Sequence, residues 1–176
     1  MKMPDYAIAS IITSNYIPQA LSLYSYVQES NPETRLLVLI IGDRGCSPVD
    51  LPPGHEWIYW DELLNHETRI SLASEYTPFE LVCILRGRFH HYLGKKRRLE
   101  KWSMVDADSG VVASLDQIWQ ELDSACIALT PHASKQVSLE HVIPHERNFL
   151  KYGLFNAGVV GMRRSDVAEE ASQWLC

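Results

Sequence analysis

The chain lacks the features that would send it to a membrane, to nucleic acid or to an oxidising compartment. No apolar run reaches the length of about 18 residues that a spanning helix needs, so no membrane span is expected. Basic residues are not in excess. The 16 Lys and Arg stand against 22 Asp and Glu, a formal net charge of −6. That balance opposes a general affinity for nucleic acid or anionic membranes, and nucleic acid is not an expected partner. It leaves room for a local basic site that meets a small phosphate ligand. Cysteine is sparse. Cys46, Cys83, Cys126 and Cys176 fit neither a zinc site nor a compact disulfide framework, which leaves free thiols in a reducing compartment, the cytoplasm. The opening "MKMPDYAIASIITSNY" has one lysine and an apolar stretch that soon turns polar, so it reads as a first strand and not a signal peptide. Internal repeats, low-complexity tracts and linkers are missing too, which leaves one domain over residues 1–176.

What is present is an alternation of strand and helix signals. "YAIASII" (6–12) is a short apolar run with β-branched residues, and "RLLVLIIGD" (35–43) is almost wholly aliphatic. Strands buried on both faces look like this, and they belong to parallel sheets covered by helices. Between them Asn15 is placed to cap a helix with apolar positions Ile17, Leu21, Tyr24 and Val27. "EWIYW" (56–60) reads as a third strand, followed by a weakly helical stretch. "TPFELVCILRGRFHHYL" (77–93) has the start signals of a helix: Thr77 as cap, Pro78 in the first turn and Glu80 three residues after the cap. Phe79, Val82, Leu85 and Phe89 form its expected apolar stripe.

"GKKRRLEK" (94–101) is expected to be a solvated basic turn. "WSMVD" and "GVVA" read as strands, "SLDQIWQELD" (114–123) as a helix and "ACIALT" as a strand. Residues 131–149 show little regular pattern and read as a long excursion. "GLFNAGVVGM" (153–162) is a glycine-punctuated strand, and "SDVAEEASQWL" a helix begun by Ser165. The expected fold is α/β: a three-layer α/β/α sandwich with a mainly parallel, Rossmann-like sheet. Ligands in such sheets bind at the carboxyl ends of strands, so "TSNY", "GDRG" and "DADS" are the places to inspect.

Asp106 and Asp108 flank one alanine at a strand end. Two ionised carboxylates so close repel unless a cation lies between them. Magnesium and manganese prefer oxygen ligands and are often held by one or two carboxylates plus substrate phosphates. The pair therefore points to Mn2+ or Mg2+ bridging protein and diphosphate. His90 and His91 are adjacent on a helix and face different directions, so they do not read as a metal pair.

Three segments together resemble the nucleotide-sugar glycosyltransferases of the GT-A fold, especially the family 8-like group. They are "IASIITSNYIPQALSLYSYVQESNPETRLLVLIIGD", "VDADSGVVASLDQIWQEL" and "GLFNAGVVGMRRS". The resemblance covers roughly residues 5 to 175. It implies that Ile11, Thr13, Asn15 and Tyr16 contact the nucleotide and that Asp106 and Asp108 are metal ligands under the donor diphosphate. It further implies that Arg86 meets the donor, and that Asn156, Ala157 and Gly158 line the sugar and acceptor pocket, with His132 facing the same cleft. The implied activity moves a sugar from a nucleotide-diphosphate donor, a UDP-sugar, to the hydroxyl of a carbohydrate or glycoconjugate acceptor, with the inner face of a membrane as one place for that acceptor. No residue stands out as a nucleophile.

The match has gaps. "EKWSMVD" is more polar than the family's strand, Ser109-Gly110 replaces a bulky aliphatic residue, and the family's C-terminal segment, with its metal-binding histidine, has no counterpart before Cys176. A non-catalytic nucleotide-binding module is therefore an alternative. A metal-dependent phosphohydrolase is another, but it would need an acid nucleophile where the first strand ends, and "IITSNY" has none.

Overall fold

The structure, a computed structural model, describes residues 5–45, 49–132, 149–151 and 153–174. Among the described residues the chain runs through β1 (Tyr6–Thr13), α1 (Ile17–Ser30), β2 (Arg35–Ile41), β3 (Glu56–Tyr59), α2 (His66–Glu75), α3 (Pro78–Lys95), β4 (Lys101–Val105), α4 (Asp116–Ser124), β5 (Ile127–Pro131), β6 (Phe155–Arg163) and α5 (Asp166–Trp174). The six strands form one sheet in the order β3-β2-β1-β4-β6-β5. The pairs β3–β2, β2–β1 and β1–β4 are parallel, whereas β6 runs antiparallel to both β4 and β5.

The aliphatic runs of β1 and β2 sit in the middle of this sheet, as their composition requires. Alternation along β1 sends Ala7, Ala9 and Ile11 to one face and Ile8 and Ile12 to the other. The first face packs on Leu81, Leu85 and Phe89 of α3 and Ala168 of α5. The second packs on Ala20, Leu23 and Val27 of α1 and on Trp119 and Leu122 of α4. Helices thus cover both faces, and the three-layer α/β fold is the expected one.

Several local expectations give way. Asn15 caps nothing. It lies in a 3-10 turn (Ser14–Tyr16), its Oδ1 accepts from Thr13 Oγ1 at 2.5 Å, and neither that turn nor α1 has a side-chain cap. The buried face of α1 is Ala20, Leu23 and Val27, because the small Ala20 lets the helix approach the sheet; Ile17 and Tyr24 pack at its margin. Residues 110–113 form no strand. They pass along α1, where the Val111 carbonyl accepts from Ser30 Oγ at 2.7 Å and the Ala113 carbonyl from Asn31 Nδ2 at 2.9 Å. The polar β4 is explained by two buried partners. Lys101 Nζ donates to the Trp119 carbonyl at 2.8 Å and to Asp123 at 2.5 Å, so a lysine neutralises the C-terminal turn of α4. Trp102 Nε1 donates to His90 Nδ1 at 2.8 Å. Arg97 also leaves the solvated turn, since its guanidinium pairs with Glu56. Most of the excursion expected at 131–149 lies outside the described residues, as do Cys46 and Cys176.

Candidate active site at the carboxyl ends of β1 and β4

The parallel strands β1 and β4 end side by side, and β6 begins against the end of β4. Val105 pairs with Val159 and the Asp106 N–H reaches the Gly158 carbonyl, so the start of β6 lies against the end of β4. The N-terminal half of α3 crosses the same edge. A cleft of 690 Å³ opens where these four elements meet. Its β1 wall is Ile11, Ile12, Thr13, Asn15 and Tyr16; β4 contributes Asp106, Ala107 and Asp108; β6 contributes Asn156, Ala157 and Gly158. Arg86 enters from α3 with Pro78, Phe79, Val82 and Cys83. Every site residue expected from the sequence, ten in all, touches this one space, apart from the weaker placement of His132. That histidine is not among the walls, and its Nδ1 donates to the Gly153 carbonyl at 2.9 Å.

The two carboxylates share the cleft because the chain turns at once after β4. Ser109 N donates to the Asp106 carbonyl at 3.0 Å, which closes a turn around the buried Ala107. Asp106 is anchored on its other side, where its own N–H donates to the Gly158 carbonyl at 3.0 Å. Its Oδ1 accepts from Arg86 Nη2 at 2.8 Å, while Arg86 Nη1 donates to the Ala157 carbonyl. One guanidinium therefore ties α3 to the ends of both β4 and β6. Arg86 is mostly buried, with its side chain 18% exposed, against 45% for Asp106. A partly desolvated, charge-assisted pair of this kind is stronger than a surface one.

Gly158 is required by contact and not by backbone conformation. A Cβ there would come within 2.8 Å of Asn156 Oδ1 and 3.1 Å of Asp106 Oδ2. Asn156 Oδ1 is already held at 2.6 Å by the Gly158 N–H. The bare glycine thus lets Asp106 Oδ2 lie against β6.

Residues that sequence reasoning missed are on the α3 wall. Phe79 is assigned by helical spacing to the core stripe, yet it is 76% exposed and faces the cleft. Leu81 takes its place in the core. The available signal was Thr77, because a cap so close to the strand ends puts the first turn of the helix at the ligand side. Cys83 is an exposed thiol on the same wall.

A divalent cation fits the donor set. Asp106 Oδ2 and the Asp108 carboxylate are hard oxygen ligands, and Asp106 Oδ1 is committed to Arg86. Among the described residues no group of three or more His, Cys, Asp or Glu side chains could hold a metal ion. A cation in this cleft would find two carboxylates among the described residues, Asp106 and Asp108.

Neither protein-family models nor curated protein sequences give a match. Solved structures do. The galactosyltransferase LgtC, in complex with donor and acceptor sugar analogues, aligns at a TM-score of 0.59 and 19% identity over 96% of this chain and 63% of that one. Mouse xyloside xylosyltransferase 1 aligns at 0.53 and 14% identity, over 97% and 73% of the two chains. Core-mannan synthase A from Aspergillus fumigatus, in a Mn/GDP form, aligns at 0.54 and 8% identity, over 97% and 63%. The chain thus spans under two thirds of the length of LgtC. At these identities the likeness is one of fold, and the fold is that of the GT-A glycosyltransferases.

Proposed function

We propose that the chain is a glycosyltransferase domain of the family 8-like group that binds a nucleotide-diphosphate sugar, a UDP-sugar, in the 690 Å³ cleft and moves the sugar to an acceptor hydroxyl. The observation that carries this reading is the convergence of Asp106, Asp108 and Arg86 with the ends of β1 and β6 on one space. Ile11, Thr13, Asn15 and Tyr16 take the nucleoside, Asp106 and Asp108 the metal, and Asn156 to Gly158 the sugar and acceptor side. Mn2+ or Mg2+ bound there supplies positive charge that stabilises the departing diphosphate. Arg86 adds a fixed guanidinium already oriented by Ala157, so little reorganisation is needed as negative charge develops on the leaving group. Ile11, Ile12, Phe79 and Val82 give the cleft an apolar wall. Among the described residues the cleft offers no carboxylate besides Asp106 and Asp108, so direct electrostatic help to the leaving group is the main contribution of the chain.

The unpaired thiols of Cys83 and Cys126 support a reducing, cytoplasmic setting. Among the described residues no helix is long and apolar enough to cross a membrane. Two reactant classes follow: the nucleotide sugar, and a carbohydrate or glycoconjugate acceptor. The first test is thermal-shift titration with UDP, with Mn2+ and with a chelator; stabilisation only in the presence of the metal is the expected result, and its absence removes the basis of the proposal.

A second reading has one observation in its favour. The two-carboxylate donor set is sparse, and a module that binds nucleotide without transferring sugar needs no more. Release of UDP from a UDP-sugar separates the two: turnover supports the transferase, and binding without turnover supports the module. The phosphohydrolase is disfavoured because no acid lies at the end of β1 in the cleft.

A further inference from the structure

A second concavity, of 360 Å³, lies on the other half of α3, between that helix and α5. His90, His91, Lys95, Arg98, Arg164 and Glu169 are among its walls. Three cations face a single carboxylate, which leaves two positive charges in a chain whose net charge is −6. Lys95 Nζ is bound to Glu169 at 2.7 Å. Arg98 and Arg164 have no acidic partner among the described residues. Arg164 Nη1 instead donates to the Arg98 carbonyl at 2.8 Å, so one arginine fixes the backbone of the other. Arg98 itself has a positive φ, 56°.

One wall of the same cavity also carries a buried ring N–H. Trp102 Nε1 donates to His90 Nδ1, which makes Nδ1 the acceptor and leaves the ring proton of the neutral tautomer on Nε2. His90 is 1% exposed, lines the cavity, and its Nε2 has no partner among the described residues. Nδ1 of the neighbouring His91 is also buried without one. Burial, and then the charge of Arg86, pushes the His90 pKa down to about 3, so the ring is neutral near pH 7. Its Nε2 is therefore a hydrogen-bond donor and cannot be a metal ligand. The start of α5 adjoins the space through Ser165, whose Oγ accepts from Ala168 N at 3.1 Å. Asp166 and Glu169 in that first turn already meet much of the helix dipole, so the side chains carry the argument.

We propose that this cavity is a binding site for a phosphate dianion, separate from the cleft and independent of the function proposed for it. Two unmatched guanidiniums suit a phosphate group because each can present a fork of donors to its oxygens. The two net positive charges match a dianion. The phosphate is that of a soluble phosphomonoester, of inorganic phosphate or of a lipid headgroup.

The test is a titration of the intact chain with inorganic phosphate at constant ionic strength, followed by 1H–15N spectra. Saturable shifts are expected at the Trp102 indole N–H and the amides of residues 164–169. Arg98→Asn keeps a residue that tolerates positive φ and should weaken binding about tenfold, the effect of losing a charged hydrogen bond. Arg98→Glu should abolish it, and Arg86→Gln, in the cleft, should leave it unchanged. Glucose 6-phosphate titrated in the same way, and sedimentation with phosphatidylcholine vesicles with and without phosphatidic acid, separate soluble from lipid sources. Shifts that never saturate, that are equal in Arg98→Asn, or that vanish only in Arg86→Gln overturn the proposal.

Discussion

At the scale of single residues, Asp106 is bound by two opposed demands. Its Oδ1 holds Arg86, while the proposed metal needs the same carboxylate. Arg86→Gln should therefore tighten Mn2+ binding in the absence of nucleotide by severalfold, read by electron paramagnetic resonance of the free ion, while weakening UDP. Arg88→Gln removes the same charge from an exposed position of α3 and should do neither. Asp106→Asn should abolish the metal-dependent part of UDP binding. It should cost about 1–2 kcal/mol of stability, because the mostly buried Arg86 loses its charged partner, while the fold is kept by the backbone bond to Gly158. Gly158→Ala should also weaken Mn2+-dependent UDP binding, since the new methyl lies against Asp106 Oδ2 and Asn156 Oδ1. Asp106 and Asp108 could be singled out in the sequence because they stand one residue apart at a strand end, and both are among the walls of the cleft. The bond from Arg86 to Asp106 was not legible in the same way, because it joins residues 20 apart through the crossing of a helix over a strand end.

At the scale of elements, α3 is the informative case. Its start was readable, as Thr77 and Glu80 form the reciprocal capping box, with Glu80 accepting from Thr77 N at 2.8 Å. Thr77→Ala should cost about 1 kcal/mol in urea unfolding. Its faces were less readable. Helical spacing alone could not tell that Phe79 would leave the core while His90 entered it, since Phe79 falls on the expected stripe and His90 beside it, and the packing of the helix on the sheet decides which is covered. His90 has a consequence for acid stability. Its folded pKa, about 3, lies below the unfolded value near 6.5. The unfolded chain therefore binds the extra proton first as pH falls. The contribution is complete above about pH 6.5 and is lost progressively toward pH 3, with a slope of at most about 1.4 kcal/mol per pH unit. Chemical denaturation between pH 7 and 4 should show that slope, and His90→Gln, whose amide oxygen can still accept from Trp102, should flatten it. Residues 110–113 teach the converse lesson. Their β-branched valines suggested a strand, but the sheet has no open edge there, and α1 takes their carbonyls instead.

At the scale of the whole molecule, the alternation of buried runs and helices was enough for a layered α/β fold. The direction of β6 was not, because nothing in "FNAGVVGM" distinguishes a parallel from an antiparallel neighbour, and its hydrogen-bond partners are set by β4. Ligand binding should report on the whole. At UDP concentrations about one hundred times its dissociation constant, with Mn2+ present, the folded state gains about 2.7 kcal/mol. For a chain of this size that is a rise of about 5–11 °C in melting temperature, measurable by calorimetry and expected to vanish with a chelator.

The reversal of direction at β4 divides responsibility for the cleft. Residues 11–16 and 106–108 are delivered by strands that finish there, whereas residues 156–158 arrive on a strand that starts there. Because the carbonyls of Ala157 and Gly158 also hold Arg86 and Asp106, a shift in the course of β6 is felt on both banks of the cavity. Under the proposed function, replacing residues 155–163 alone with the matching strand of a glycosyltransferase of the same fold should therefore change Mn2+-dependent UDP binding along with the choice of acceptor.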